Sequence, residues 1–294
     1  MKFQLTQFLK LILLGAFSSF FFKLHLTGEI AKFINPKYIL MSQLAGFLFI
    51  LLFIIQLGRV WEINAQHHCS AGCNGDHDHS HSRFKKVFGY SVIILPLLTG
   101  YGIEPATLNS SIAGNKGLLL PQNEGMSQAR QDAFNEVVSD REPLDENEPI
   151  PNNNYLSDSE YDRKMELLKE EQIEMSEDVF AVYIEEIQTN PQMYNGKKIK
   201  IKGFVYKENG LNSNQFIISR FLINHCVADA RVVGMVSEYK DAALYTQDTW
   251  VELQGTIRTE EYNGVEIPVI QVEEVETISE PDDPYIFPIL VKIV

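Results

Sequence analysis

A chain of 294 residues has room for about two domains on the usual scale of roughly 100–200 residues each. Its formal net charge of −14 is unevenly spread: residues 1–120 hold ten Lys/Arg against five Asp/Glu, and residues 121–294 hold 15 against 34. So acidic a C-terminal half argues against nucleic-acid binding, which wants a basic face, and three cysteines are too few for a disulfide framework.

The first apolar stretch, Leu11–Phe22, is broken only by Ser18 and Ser19, and Lys10 can snorkel toward an interface. A signal peptide would need a small-residue cleavage site, and none follows Phe22-Lys23, so the stretch reads as a retained span. Tyr38–Leu57, with Ser42, Gln43 and Gln56 as its polar breaks, has the 20 residues that a bilayer core of about 30 Å requires. Val87–Ile103 is a shorter third span of 17 residues containing Pro96, which lipid-embedded helices tolerate. Three spans put the N-terminus and the loop at 58–86 on one side, with Lys2, Lys10, Arg59, Arg83, Lys85 and Lys86. Lys23, Lys32, Lys37 and Lys116 fall on the other side. The excess of positive charge makes the first side cytoplasmic and the C-terminal half extracytoplasmic in a multi-pass protein of the cell membrane.

Between the second and third spans lie His67, His68, Cys69, Cys73, His77, His79 and His81, which include five of the seven histidines in the chain. Imidazole with thiolate suits zinc or another divalent transition metal. Seven donors exceed the four of a structural zinc site, and Cys-x3-Cys is not a finger spacing, so the loop reads as a flexible metal collector or sensor. A solvated polar loop that binds metal adventitiously is the plainer reading.

From Pro121 to Ser157 the chain is polar, charged and Pro-containing, as in an extended tether, and Asp158–Gln172 reads as a short charged helix. Asp178–Thr189 has the apolar spacing of an amphipathic helix, with Ser176 and Glu177 as its expected caps and Asn190-Pro191 as its stop. Five alternating segments follow: Lys198–Tyr206, Gln215–Ile223, Arg231–Val236, Thr249–Thr259 and Glu266–Val272. Asn209-Gly210 and Asn263-Gly264 mark turns, while Gly203 and Gly255 sit inside strands, where glycine marks a bulge or tight curl. The pattern predicts an all-β, OB-like barrel of five antiparallel strands preceded by a helix, with a split sandwich as the alternative. The chain thus divides into a membrane anchor at 1–105, an acidic linker and charged helix at 106–175, a soluble OB-like domain at 176–280 and a tail at 281–294.

One cluster stands out in the soluble half, where Arg220 is followed by His225, Cys226 and Asp229 at a strand end. These groups could form a metal or ligand site, or His225 and Cys226 a base and nucleophile; a buried thiol beside a surface His, with Asp229 closing a turn, is the structural alternative. No Ser/His/Asp set, phosphate loop or paired-carboxylate site stands out, and no catalytic residue is assigned.

Three spans, a His-rich loop and the segments Tyr194–Lys197, Ile201–Val205, His225–Ala230 and Trp250–Gly255 together resemble a two-component permease subunit family of bacteria. The resemblance extends over nearly the whole chain. It implies an accessory role beside a multi-span, arsenical-permease-like membrane protein. In that family the cluster usually reads Cys-Cys-x-Ala-Asp-Ala, so His225 takes the first cysteine position, which retains a metal donor and excludes a disulfide there. The sequence therefore points to a membrane-anchored accessory subunit of a permease, with a stand-alone metal or envelope-stress sensor as the alternative. A peptide spanning Ala65–Ser82 should bind zinc with proton release, and losing both Cys69 and Cys73 to Ser should weaken binding far more than losing any one His. No binding at micromolar zinc would leave the loop a solvated spacer.

Overall fold

The computed structural model describes residues 5–60, 83–103, 106–112, 155–208, 210–262 and 264–292. The His/Cys loop, most of the tether, Asn209 and Asn263 lie outside these residues. The chain forms two compact units: Met1–Phe33 with Tyr38–Ala106, and Ile34–Lys37 with Thr107–Val294.

The first unit is helical. Helices α1 (Leu5–Thr27) and α2 (Ile39–Arg59) carry segments long and apolar enough to cross a membrane, Thr6–Thr27 and Pro36–Arg59. Helix α3 (Arg83–Gly102) contains a shorter apolar segment, Phe88–Gly102, interrupted by Pro96. Small residues let aromatic side chains approach: a Cβ at Gly15 would lie 3.1 Å from the Phe53 ring, and one at Gly46 would lie 3.4 Å from Phe21 Cβ and 3.9 Å from the Phe22 ring. Phe17 stacks on Phe49 at 5.4 Å, and Phe22 meets Phe47 edge-on at 5.7 Å. The buried Gln56 amide donates to Gln7 Oε1 at 2.8 Å, and His25 Nε2 lies 3.2 Å from Ser42 Oγ. Polar side chains within apolar helices thus find one another, as the cost of an unsatisfied amide at the buried Gln56 demands.

The second unit is a mixed sheet with a packed helix. After β1 (Tyr155–Ser157), Ser157 and Glu160 form a capping box that starts α4 (Asp158–Leu167). The charged helix is shorter than expected, because Gln172–Glu174 forms strand β2, pairing in parallel with Lys198–Lys200. Helix α5 (Phe180–Thr189) buries Phe180, Val182, Tyr183, Ile184 and Ile187. The expected caps do other work: Val179 is the N-cap, the Ser176 hydroxyl donates to Asp178, and Glu177 turns to an arginine. Tyr183, whose hydroxyl donates to the Lys164 carbonyl, has its phenol pushed up to about 12 by burial and neighbouring acidic groups.

The main strands are β3 (Lys198–Tyr206), β4 (Gln215–Leu222), β5 (Arg231–Glu238), β6 (Trp250–Tyr262) and β7 (Val265–Thr277). Two short ones, β8 (Tyr285–Ile286) and β9 (Leu290–Lys292), follow. The 7-stranded order is β2-β3-β6-β7-β5-β4-β8, and β3 also pairs with β4. The five long strands therefore form a closed cycle of pairings. Four of the pairings are antiparallel, and β5–β7 is parallel. An all-antiparallel cycle of five is impossible, since direction would have to reverse an odd number of times on returning to its start. The expected uniform antiparallel order is corrected on that ground. The residues read as a tail also join the structure, as β8 pairs with β4 and β9 with β1.

Alternation along β4 feeds two cores. Phe216, Ile218 and Leu222 pack with the apolar face of α5, whereas Ile217, Phe221 and Ile223 pack with Phe204, Val232 and Val269. Backbones approach closely where side chains are missing. A Cβ at Gly203 would lie 2.6 Å from the Ser219 carbonyl oxygen, and one at Gly255, opposite the bulge that Glu273 makes in β7, would lie 2.3 Å from that of Gln271. Gly255→Val should lower stability by about 2–3 kcal/mol, the scale of overpacking, seen as a lower Tm of the detergent-solubilised chain. Gly58→Ala, with open space around its Cβ position, should leave Tm nearly unchanged.

Candidate functional site

The residues singled out in the C-terminal half fall at the connection from β4 to β5. Past Leu222 the chain leaves the ladder, and Val227–Asp229 makes a single turn of 3-10 helix with Cys226 as its N-cap. The Asp229 carboxylate closes this turn. Its Oδ1 accepts from the Asn224 backbone N–H at 3.2 Å. Its Oδ2 accepts from the N–H groups of His225 at 2.9 Å and Cys226 at 3.3 Å, and stands 3.0 Å from His225 Nδ1. Three backbone donors around one carboxylate make a tight anionic clamp. The Asp229 backbone N–H in turn donates to the Cys226 carbonyl at 3.0 Å. The His225 ring is 56% exposed on its side-chain surface, and Cys226 is half-buried.

Arg220 belongs elsewhere. It is 1% exposed, its Nε donates to the Pro284 carbonyl at 3.2 Å, and its Nη2 donates to the Asp283 carbonyl at 2.7 Å and to Glu177 at 3.2 Å. The guanidinium lies 5.1 Å from the centre of the Trp250 ring and 6.0 Å from that of Phe180. Burial pulls its pKa down, opposed by Glu177. This residue fastens the Asp283-Pro284 segment to β4. The structure therefore brings His225, Cys226 and Asp229 together and gives Arg220 different partners. Among the described residues, no group of three His, Cys, Asp or Glu is placed to hold a metal ion. The loop ligands His67, His68, Cys69, Cys73, His77, His79 and His81 lie outside the described residues.

Two further segments meet this unit, and sequence reading did not single them out. Asn35, 1% exposed, donates from its backbone N–H to the His225 carbonyl at 2.9 Å and from its side-chain amide to the Asn224 carbonyl at 2.9 Å. Ile34 forms an antiparallel bridge with Cys226. The Ser110 backbone N–H and hydroxyl both donate to the Asp248 carboxylate, at 2.6 and 2.7 Å, while the Leu108 N–H donates to the Tyr285 hydroxyl at 3.0 Å. Asp248 has φ 67, a left-handed conformation that Asp tolerates better than most residues. The available signal for the first segment was Asn35-Pro36, a turn-forming pair.

Residues 9–119 match the DUF1980 N-terminal domain and residues 152–288 the DUF1980 C-terminal domain. The chain is 32% identical over 293 residues to the UPF0703 protein YcgQ of Bacillus subtilis, covering 95% of this chain and 98% of that one. The chain belongs to the DUF1980 family. It is also 22% identical over 284 residues to a Streptococcus mutans protein described as "Putative two-component membrane permease complex subunit", covering 94% of this chain and 97% of the relative. Both similarities extend across the helical unit and the sheet, in agreement with the permease-subunit resemblance.

Arg220→Met should remove three hydrogen bonds from a buried cation and cost about 2–3 kcal/mol, read as a lower Tm. His225→Ala should change Tm little, because its ring is mostly in solvent. Equal losses from both would show that the exposed imidazole carries fold stability.

Proposed function

We propose that the protein is a membrane-anchored accessory subunit of a permease. The near full-length similarity to a relative described as a subunit of a two-component membrane permease complex carries this reading. Two helices long and apolar enough to span a bilayer support the membrane anchor. The partner is a multi-span, permease-like membrane protein, and the lipid bilayer is the second environment to which the chain is matched. The subunit is read as non-enzymatic, because the His225, Cys226 and Asp229 cluster of the described residues spends its carboxylate on closing a turn.

The soluble unit is an OB-like barrel used as an interaction domain. Its closed cycle of five pairings, with antiparallel contacts except β5–β7, supports that reading. Its acidic surface fits a protein partner better than a nucleic acid. The loop at 58–86 binds zinc or a similar divalent transition metal, on the strength of its imidazole and thiolate donors. The Lys/Arg bias supports a cytoplasmic loop and an extracytoplasmic barrel.

Affinity purification of the full chain from its native membranes, followed by mass spectrometry, should recover a protein with many spans in near-stoichiometric amount. Recovery of the chain alone, from membranes where it is stably inserted, would favour the stand-alone metal or envelope-stress sensor.

A further inference from the structure

Residues Ile34–Lys37 lie in sequence between the two membrane helices, yet they fold as part of the soluble unit. Four contacts build them in. Ile34 is the bridge partner of Cys226, the Asn35 N–H reaches the His225 carbonyl, and the Asn35 amide reaches the carbonyls of Ile223 at 3.4 Å and Asn224 at 2.9 Å. Asn35 Oδ1 in turn accepts from the Lys37 N–H at 3.0 Å, bending the connector back on itself. The carbonyls that receive Asn35 belong to Ile223, Asn224 and His225. The N–H groups of Asn224, His225 and Cys226 are those gathered by Asp229. One side of this backbone is held by the carboxylate and the other is turned toward the connector.

We infer that the His225–Asp229 turn is a receptor for the connector between α1 and α2, and that this seating obliges α2 and α3 to cross the membrane as a pair. The inference rests on the membrane reading of α1 and α2. The reason is parity. The chain leaves the soluble unit after Lys37, passes through α2, the His/Cys loop and α3, and re-enters the same unit at Thr107. Ser110 and Leu108 are then fastened at Asp248 and Tyr285. Both ends of the excursion belong to one folded body on one side of a bilayer. If α2 crosses, α3 must cross back, although its apolar segment is shorter than those of α1 and α2. The His/Cys loop then lies on the side opposite the barrel. The demand on the turn is geometric: Asp229 holds its N–H groups so that its carbonyls stay aimed outward.

The seating can be read by cross-linking. A bond from Asn35 N–H to the His225 carbonyl makes Ile34 and Cys226 a non-hydrogen-bonded antiparallel pair, whose Cα atoms stand about 4.5 Å apart, within disulfide range. Ile34→Cys, in the full chain carrying Cys69→Ser and Cys73→Ser, should form a disulfide with Cys226 nearly quantitatively when membranes are treated with copper–phenanthroline. Lys37→Cys, beyond the bridge, should not. Failure of the Ile34→Cys pair to close in a chain of unchanged Tm would overturn the seating. The pairing of spans is read separately, by an impermeant thiol reagent on intact cells. Lys240→Cys, at a side chain 82% exposed, should label in intact cells, and Cys69 and Cys73 only after permeabilisation. Labelling of all three from one side, with the cross-link intact, would overturn the paired crossing. Loss of a co-purifying permease would refute the accessory-subunit reading and leave both of these results standing.

Discussion

The closed cycle of five strands is the constraint on which the second unit depends. Closing it brings β3, β4 and β5 so near that carbon atoms must be absent at Gly203 and Gly234; a Cβ at the latter would lie 2.2 Å from the Ile218 carbonyl oxygen. With backbones in contact, β4 is buried on both faces and its alternate side chains serve two cores. A strand so enclosed has no room for a mobile charge, and Arg220 is accordingly locked by two carbonyls, a carboxylate and two aromatic rings. The exit from β4 is therefore a rigid platform.

That rigidity gives the following turn its character. Asp229 collects three backbone N–H groups, and the opposite edge of the same backbone presents carbonyls to Asn35. A cluster of imidazole, thiol and carboxylate that reads in sequence as a ligand set is, in the fold, largely a device for shaping main chain. The imidazole keeps one exposed face, and Cys226 is held at its bridge with Ile34. Chemistry at this corner would have to compete with its own hydrogen bonds.

Two segments that adjoin apolar helices in sequence, at Asn35 and at Ser110, are built into the second unit. The two segments are separated in sequence by α2 and α3.

Hydropathy alone identified α1 and α2, because a run of about 20 apolar residues is the length that a bilayer core demands, and alternation located all five long strands to within a few residues. Family membership was likewise legible, in segments around Gly203, Cys226 and Gly255. The strand direction at β5–β7, the recruitment of Tyr285–Ile286 as a strand and the true partners of Arg220 were not. Each depends on residues more than 30 positions apart, for which periodicity carries no signal. Glu177 illustrates the point: one position before a helix it reads as a cap, yet a buried guanidinium nearby is worth more to it than a surface helix end. Asn35 is the sharpest case. The sequence places it between two apolar stretches and before Pro36, but only tertiary structure decided that its amide closes on a backbone 188 residues away, because a hydrogen bond is specified by where two segments meet and not by what either one is.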